Sequence, residues 1–311
     1  MLVAAATVLA TGSATSAGER LAAAGYIAGW KVVRHLPLRL SARIFNAGAD
    51  YASDGGRGME MLRRNLIRVV GAENVTRELV RDSMRSYARY WNEAFRLPAI
   101  AGDEELLARL DAGVRGRVHL EKTLGQGKGL ILTLPHSGNW DMAGMWLVSR
   151  YGGFATVAER LRPEALFDAF VDYRESLGFE VIAAAGSTVP PFERLREVLS
   201  GGGIVCLMGE RDMTPRGVPV GFFGEETTLP AGPAKLAVET GAGLHVAHSW
   251  FAGTAAKPDW GHSVSPAIEV TDVAETTQRV ADVFAANIAA HPVDWHALQP
   301  VWPADRAKRK R

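Results

Sequence analysis

The 311-residue chain has one cysteine, no apolar run long enough to cross a bilayer, and almost no net charge, +1 at neutral pH. Each shortage excludes something. A single thiol, Cys206, permits no intrachain disulfide framework, and its place in the apolar run GIVCLM predicts a buried, inert side chain in a reducing compartment. A spanning helix needs about 18–20 predominantly apolar residues, so the chain is not expected to cross a membrane. The G-x-S-x-G nucleophile elbow is absent, which argues against an ordinary α/β-hydrolase. The glycines of GQGKG precede a strand instead of following one, and no complete P-loop occurs, so nucleotide-cofactor chemistry loses support. The start, MLVAAATVLATGSATSAGE, lacks the basic segment of a secretory signal and reads as a disordered or overextended leader over 1–19.

What is there is a globular composition, 47% apolar and 22% charged. Residues 1–100 hold 14 Lys and Arg against 8 Asp and Glu, a local balance of +6, and the tail AKRKR at 307–311 adds to it. Such clusters suit anionic lipid or nucleic acid, or are simply a solvated helix face. Periodic apolar residues predict helices over 21–36, 59–71 and 74–98. From residue 129 short apolar strands alternate with helices: GLILTL then NWDMAGMWLVSR, FATVAE then PEALFDAFVDYRESL, FEVIAA then PFERLREVLS, and IVCLM. A further helix, PAGPAKLAVETG, the strands GLHVAHSWF and SVSPAIEV, and a helix at 274–290 follow. This alternation predicts an α/β fold with a mostly parallel sheet flanked by helices. With no internal repeat or long polar linker, one domain is expected over 20–311: a mostly helical layer at 20–127, an α/β core at 128–300 and a basic tail at 301–311.

The strand GLILTL runs straight into LPHSGNWDMAG, which puts His136 at a strand's carboxyl end, where open α/β sheets collect functional groups. Glu210, two residues past IVCLM, is placed likewise. If Asn139 caps the next helix, Asp141 falls in its first turn, within reach of one imidazole nitrogen. Such a carboxylate would fix the tautomer and leave the other nitrogen as a base. First-turn aspartates also arise for helix-dipole reasons alone. His245 and His248 of HVAH look like a metal pair, but their odd offset in a strand points them to opposite faces and predicts packing or hydrogen bonding.

The succession LPHSGNWDMAG, VAERLRPEALFDAFVDYRESLGFEVI, GIVCLMGERDMTPRGVPVGFFG and TLPAGPAKLAVETGAGL resembles the lipid A biosynthesis acyltransferase family, with its H-x4-D/E motif. The resemblance runs from about residue 20 to the end HPVDWHALQPVWPADRAKRKR, and is strongest to family members that act on phosphatidylinositol mannosides. It implies an acyl-CoA donor as co-substrate, no further cofactor or metal, and transfer to a mannose hydroxyl of such a glycolipid. By the same resemblance His136 is the catalytic base, Asp141 its acidic partner and Glu210 a supporting glutamate, while Glu159, Arg160 and Arg174 lie in acceptor-side segments. Two other classes stay open, a thioesterase using the same base and a non-catalytic anionic-lipid binder. Trp295 and Trp302, beside the basic tail, suit a membrane interface better than base stacking, since no nucleic-acid module accompanies them. A peripheral monomer on the cytoplasmic face of the cell membrane is expected.

Overall fold

A strand apolar on both faces, as LILTL and IVCLM are, is stable only inside a sheet covered on both sides. The computed structural model of the protein describes residues 25, 29, 30, 32–159, 164–186, 189–212, 217–254 and 257–306. The start over 1–19, half of the helix expected at 21–36 and the tail residues 307–311 lie outside the described residues. The elements are α1 (Leu38–Ala52), α2 (Glu60–Val70), α3 (Arg77–Ala94), the single turn α4 (Leu97–Ile100), α5 (Glu104–Ala112), β1 (Val114–Arg115) and α6 (Arg117–Leu124). The core follows with β2 (Leu130–Leu134), α7 (Trp140–Tyr151), β3 (Phe154–Ala158), α8 (Glu164–Glu175), β4 (Phe179–Ala183), α9 (Pro191–Ser200) and β5 (Ile204–Met208). After the hairpin β6 (Val218–Phe222) and β7 (Glu225–Leu229) come α10 (Gly232–Thr240), β8 (Gly243–Thr254), β9 (Lys257–Val264) and α11 (Val273–Ala290).

Seven strands form one sheet in the order β1-β9-β8-β2-β5-β3-β4. The five from β8 to β4 are parallel, and β9 turns back antiparallel to β8. One face packs on a core containing Ile131, Val205, Val246 and Phe284, the other on a core containing Leu132, Met142, Phe154 and Phe179. A third cluster, with Leu62, Leu66 and Met84, lies within the α1–α3 layer. Burial of each such side chain stabilises by about 1.5–3 kcal/mol.

Trp295, Ala297, Val301 and Trp302 are part of the core. Trp295 and Trp302 are each 0% exposed, so they are not interfacial anchors. Trp302 stacks on Phe222, and Arg68 lies 4.5 Å over its ring and pairs with Asp305 at 2.6 Å. Of the tail expected at 301–311, residues 301–306 clasp the helical layer to the sheet. Asn65 completes the clasp, donating from Nδ2 to the carbonyls of Ala297 and Gln299 at 2.8 and 2.9 Å.

Candidate active site

Register brings two distant residues level. In the parallel pair β2–β5, Leu134 is opposite Met208, and each strand runs two residues further, one to His136 and the other to Glu210. There Oε1 of Glu210 lies 2.6 Å from Nδ1 of His136 and accepts the His136 backbone N–H at 3.1 Å. Against a carboxylate Nδ1 must carry the proton, which leaves Nε2 as the acceptor. The imidazole is 36% exposed, whereas the Glu210 side chain is 4% exposed. Burial works against the ionised Glu210, but the His136 charge and its hydrogen bonds outweigh it, so the carboxyl sits below its ordinary value.

The loop that carries His136 is built on one glycine. Gly138 has φ +57°, and a Cβ there would stand 2.6 Å from the Ser249 carbonyl. Asn139 then caps α7, its Oδ1 accepting from the Met142 N–H at 3.0 Å while its Nδ2 donates to the buried Glu93 at 2.9 Å. The loop is also paired to the chain end. The His296 N–H donates to the His136 carbonyl at 2.8 Å and the Gly138 N–H to that of Asp294 at 2.9 Å.

Asp141 is in the first turn of α7, as the spacing predicts, but its partners differ from those expected. Oδ2 accepts the Tyr90 hydroxyl at 2.8 Å and Oδ1 accepts Arg174 Nε at 3.0 Å. Its side chain makes no hydrogen bond to His136, because it projects toward α3 and α8 and not toward the strand end. Glu210 fills the place beside the imidazole. Arg174 is thus tied to Asp141, and both line the cavity between α7 and the sheet. Burial alone would lower the guanidinium, and the Asp141 charge outweighs it and raises it above its ordinary value. Glu159 lies exposed just past β3, at the same end of the sheet, and Arg160 lies outside the described residues.

Beside the histidine a narrow cavity of about 100 Å³ runs between α7 and the sheet, lined by Leu132, Leu134, Trp140, Phe154, Cys206 and Met208 among others. Trp140 joins the two regions: its ring stands edge-on 5.3 Å from His136 and stacks 4.0 Å from Tyr90. Cys206, partly buried in this wall, has its thiol pushed up by burial. The two histidines of HVAH have packing roles: His245 bonds to Thr123 and the Ser265 carbonyl, each at 2.8 Å, while His248 stacks on His291. The residues that the sequence reading passed over are Tyr90, Ser86, Asp294 and His296. Of these, only the aspartate and histidine of HPVDWH carried a signal, two ionisable groups in an aromatic segment.

A buried carboxylate on a loop histidine, at the strand ends of an α/β sheet and beside a largely apolar cavity, suits general-base chemistry on an apolar substrate. The chain matches the bacterial lipid A biosynthesis acyltransferase family over residues 19–303, and it belongs to that family. It is 52% identical over 302 residues to a phosphatidylinositol mannoside acyltransferase of Mycolicibacterium smegmatis, an alignment covering 94% of this chain and 95% of that one. It is also 54% identical over 290 residues to a phosphatidylinositol mannoside acyltransferase of Mycobacterium tuberculosis, covering 92% and 90%. It is an acyltransferase.

Proposed function

We propose that this enzyme moves a long-chain acyl group from acyl-CoA to a mannose hydroxyl of a phosphatidylinositol mannoside, with His136 as general base. The observation that carries the reading is the 2.6 Å contact between His136 Nδ1 and Glu210, which leaves Nε2 to act. A sugar hydroxyl is too weak an acid to attack a thioester as an alkoxide near neutral pH, so Nε2 takes its proton as the new C–O bond forms. The tetrahedral oxyanion then collapses, the C–S bond breaks, and the imidazolium returns the proton to the departing CoA thiolate. Glu210 supports the transient imidazolium electrostatically. The Trp140 and Asp141 N–H groups open the first turn of α7 with no intrahelical partner, and they would serve the oxyanion. The acyl chain would occupy the apolar cavity beside Trp140. Glu159 and Arg160 would contribute to acceptor binding, while Arg174 acts through Asp141.

The enzyme would work as a peripheral protein at the cytoplasmic face of the cell membrane. No helix among the described residues is long and apolar enough to cross one. On α1, Leu40 and Ile44 are 46% and 52% exposed, beside the exposed Arg39 and Arg43. That mixture suits an interface with anionic lipid.

The test is incubation of the purified protein with labelled acyl-CoA and a panel of phosphatidylinositol mannosides, with products identified by mass spectrometry. Acylated glycolipid supports the reading. Release of free fatty acid alone would make the enzyme a thioesterase.

A further inference from the structure

Several polar groups of the His136 loop lead back to one residue outside the motif, Asp294. The Asp294 carbonyl accepts both the Gly138 N–H and the Ser137 hydroxyl, at 2.9 and 3.1 Å. Its carboxylate is used in full: Oδ1 accepts the Ser86 hydroxyl at 2.7 Å and Oδ2 the Phe251 N–H at 2.9 Å. Asp294 therefore joins α3, β8 and the loop, and it is 7% exposed. Ser86 Oγ lies 3.0 Å from His296 Nε2. Since the one Ser86 proton is committed to Asp294, the imidazole must donate from Nε2, leaving Nδ1 bare, and His296 Nδ1 is buried with no partner. Burial pushes His296 down to about 3, which keeps the ring neutral. The same His296 donates its backbone N–H to the His136 carbonyl.

We propose that Asp294 is a positioning residue for His136: through Ser86 and His296 it fixes the loop on which the base sits, and it sets the His296 tautomer. The catalytic part of this rests on His136 as the base of acyl transfer. Asp294→Asn has one orientation without facing donors, with its carbonyl to the Phe251 N–H and its amide to Ser86. Ser86 must then turn its proton to His296 Nε2, which moves the ring proton to Nδ1. The neutral amide makes weaker hydrogen bonds than the carboxylate and puts the His296 ring proton on a buried nitrogen that has no acceptor. Residue 294, whose backbone carbonyl holds the loop, is then anchored less firmly, and a shift of the loop by about 1 Å costs on the order of 10²-fold in rate.

The experiment combines steady-state kinetics with nitrogen NMR of histidine-labelled full-length protein, His296 being identified by the signal that His296→Asn removes. Expected are an Nε2–H tautomer in the wild type and Nδ1–H in Asp294→Asn, whose kcat falls about 10²-fold with little change in KM for acyl-CoA. Ser86→Ala should lose rate and Ser86→Thr, which keeps the hydroxyl, should recover it. If Asp294→Asn does not fold, the Ser86 pair carries the kinetic arm. An unchanged tautomer in Asp294→Asn, or wild-type kcat in both Asp294→Asn and Ser86→Ala, overturns the proposal. Failure of the wild type to transfer acyl groups would instead remove the acyltransferase reading, and the tautomer comparison would still decide the clamp.

Discussion

At His136 one ring nitrogen is held by a carboxylate from another strand, and the consequences fall on two residues unequally. His136→Ala removes the proton acceptor, so transfer should fall by about 10²–10⁴-fold while thermal unfolding stays near that of the wild type, because the ring is partly exposed on a loop. Wild-type turnover at saturating substrates would rule out the base. Glu210→Gln keeps the shape but removes the charge, so kcat should fall more than donor binding weakens. The same carboxyl gives a pH dependence. It is depressed in the folded state, so its stabilisation is complete above the ordinary carboxyl value of 4.5 and fades as pH falls through the lowered one. Melting temperatures of wild type and Glu210→Gln should therefore converge as the pH drops below that range. Asp141 belongs to a different network. Removing one partner of a buried pair costs about 3–5 kcal/mol, so Asp141→Ala should be unmasked by urea titration as a stability defect, and Asp141→Leu with Arg174→Met should recover much of it. Spacing showed that Asp141 opens α7. The direction of its side chain was beyond the sequence, because Tyr90 and Arg174 lie 51 and 33 residues away.

The elements easiest to foresee were those whose burial is simple. LILTL and IVCLM are apolar throughout and became the paired strands β2 and β5, and the predicted helices at 59–71 and 274–290 match α2 and α11 closely. Three helices escaped, α1, α5 and α6, and so did the hairpin β6–β7. VPVGF carries a proline and a glycine, and EETTL has a single large apolar residue, which blurs the strand signal in both. SVSPAIEV was expected to be a strand. Only its first two residues are, because β9 ends at Val264 and Pro266 follows within two positions. The loop between β2 and α7 tests the element scale directly. Gly138→Ala places a side chain at positive φ and against the Ser249 backbone, so it should cost about 1–3 kcal/mol and lower kcat together, since the loop can relieve the clash only by carrying His136 with it. A stable variant with full activity would show that the turn tolerates the change.

At the scale of the whole molecule, charge and apolar surface separate. The +6 balance of the first hundred residues suggests a basic face, yet much of that charge is neutralised locally: Arg85 binds Asp50 at 2.6 Å, Arg89 binds Glu93 at 2.7 Å and Arg68 binds Asp305. The arginines of α3, Arg77, Arg81, Arg85 and Arg89, all have partners. Arg39 and Arg43 on α1, by contrast, form no ion pair among the described residues and flank the exposed Leu40 and Ile44. Membrane attachment should therefore depend on α1 and not on the first hundred residues as a whole. Each basic side chain near an anionic surface contributes about 1 kcal/mol, so Arg39→Glu with Arg43→Glu should weaken binding to anionic vesicles by about tenfold or more and flatten its salt dependence. Leu40→Asp with Ile44→Asp should weaken binding to neutral and anionic vesicles alike, since burial of the apolar pair does not depend on lipid charge. Arg85→Gln, on the paired face, should leave vesicle binding unchanged. Sedimentation with vesicles of both compositions at low and high salt measures all three, and equal binding by every variant would remove α1 as the anchor.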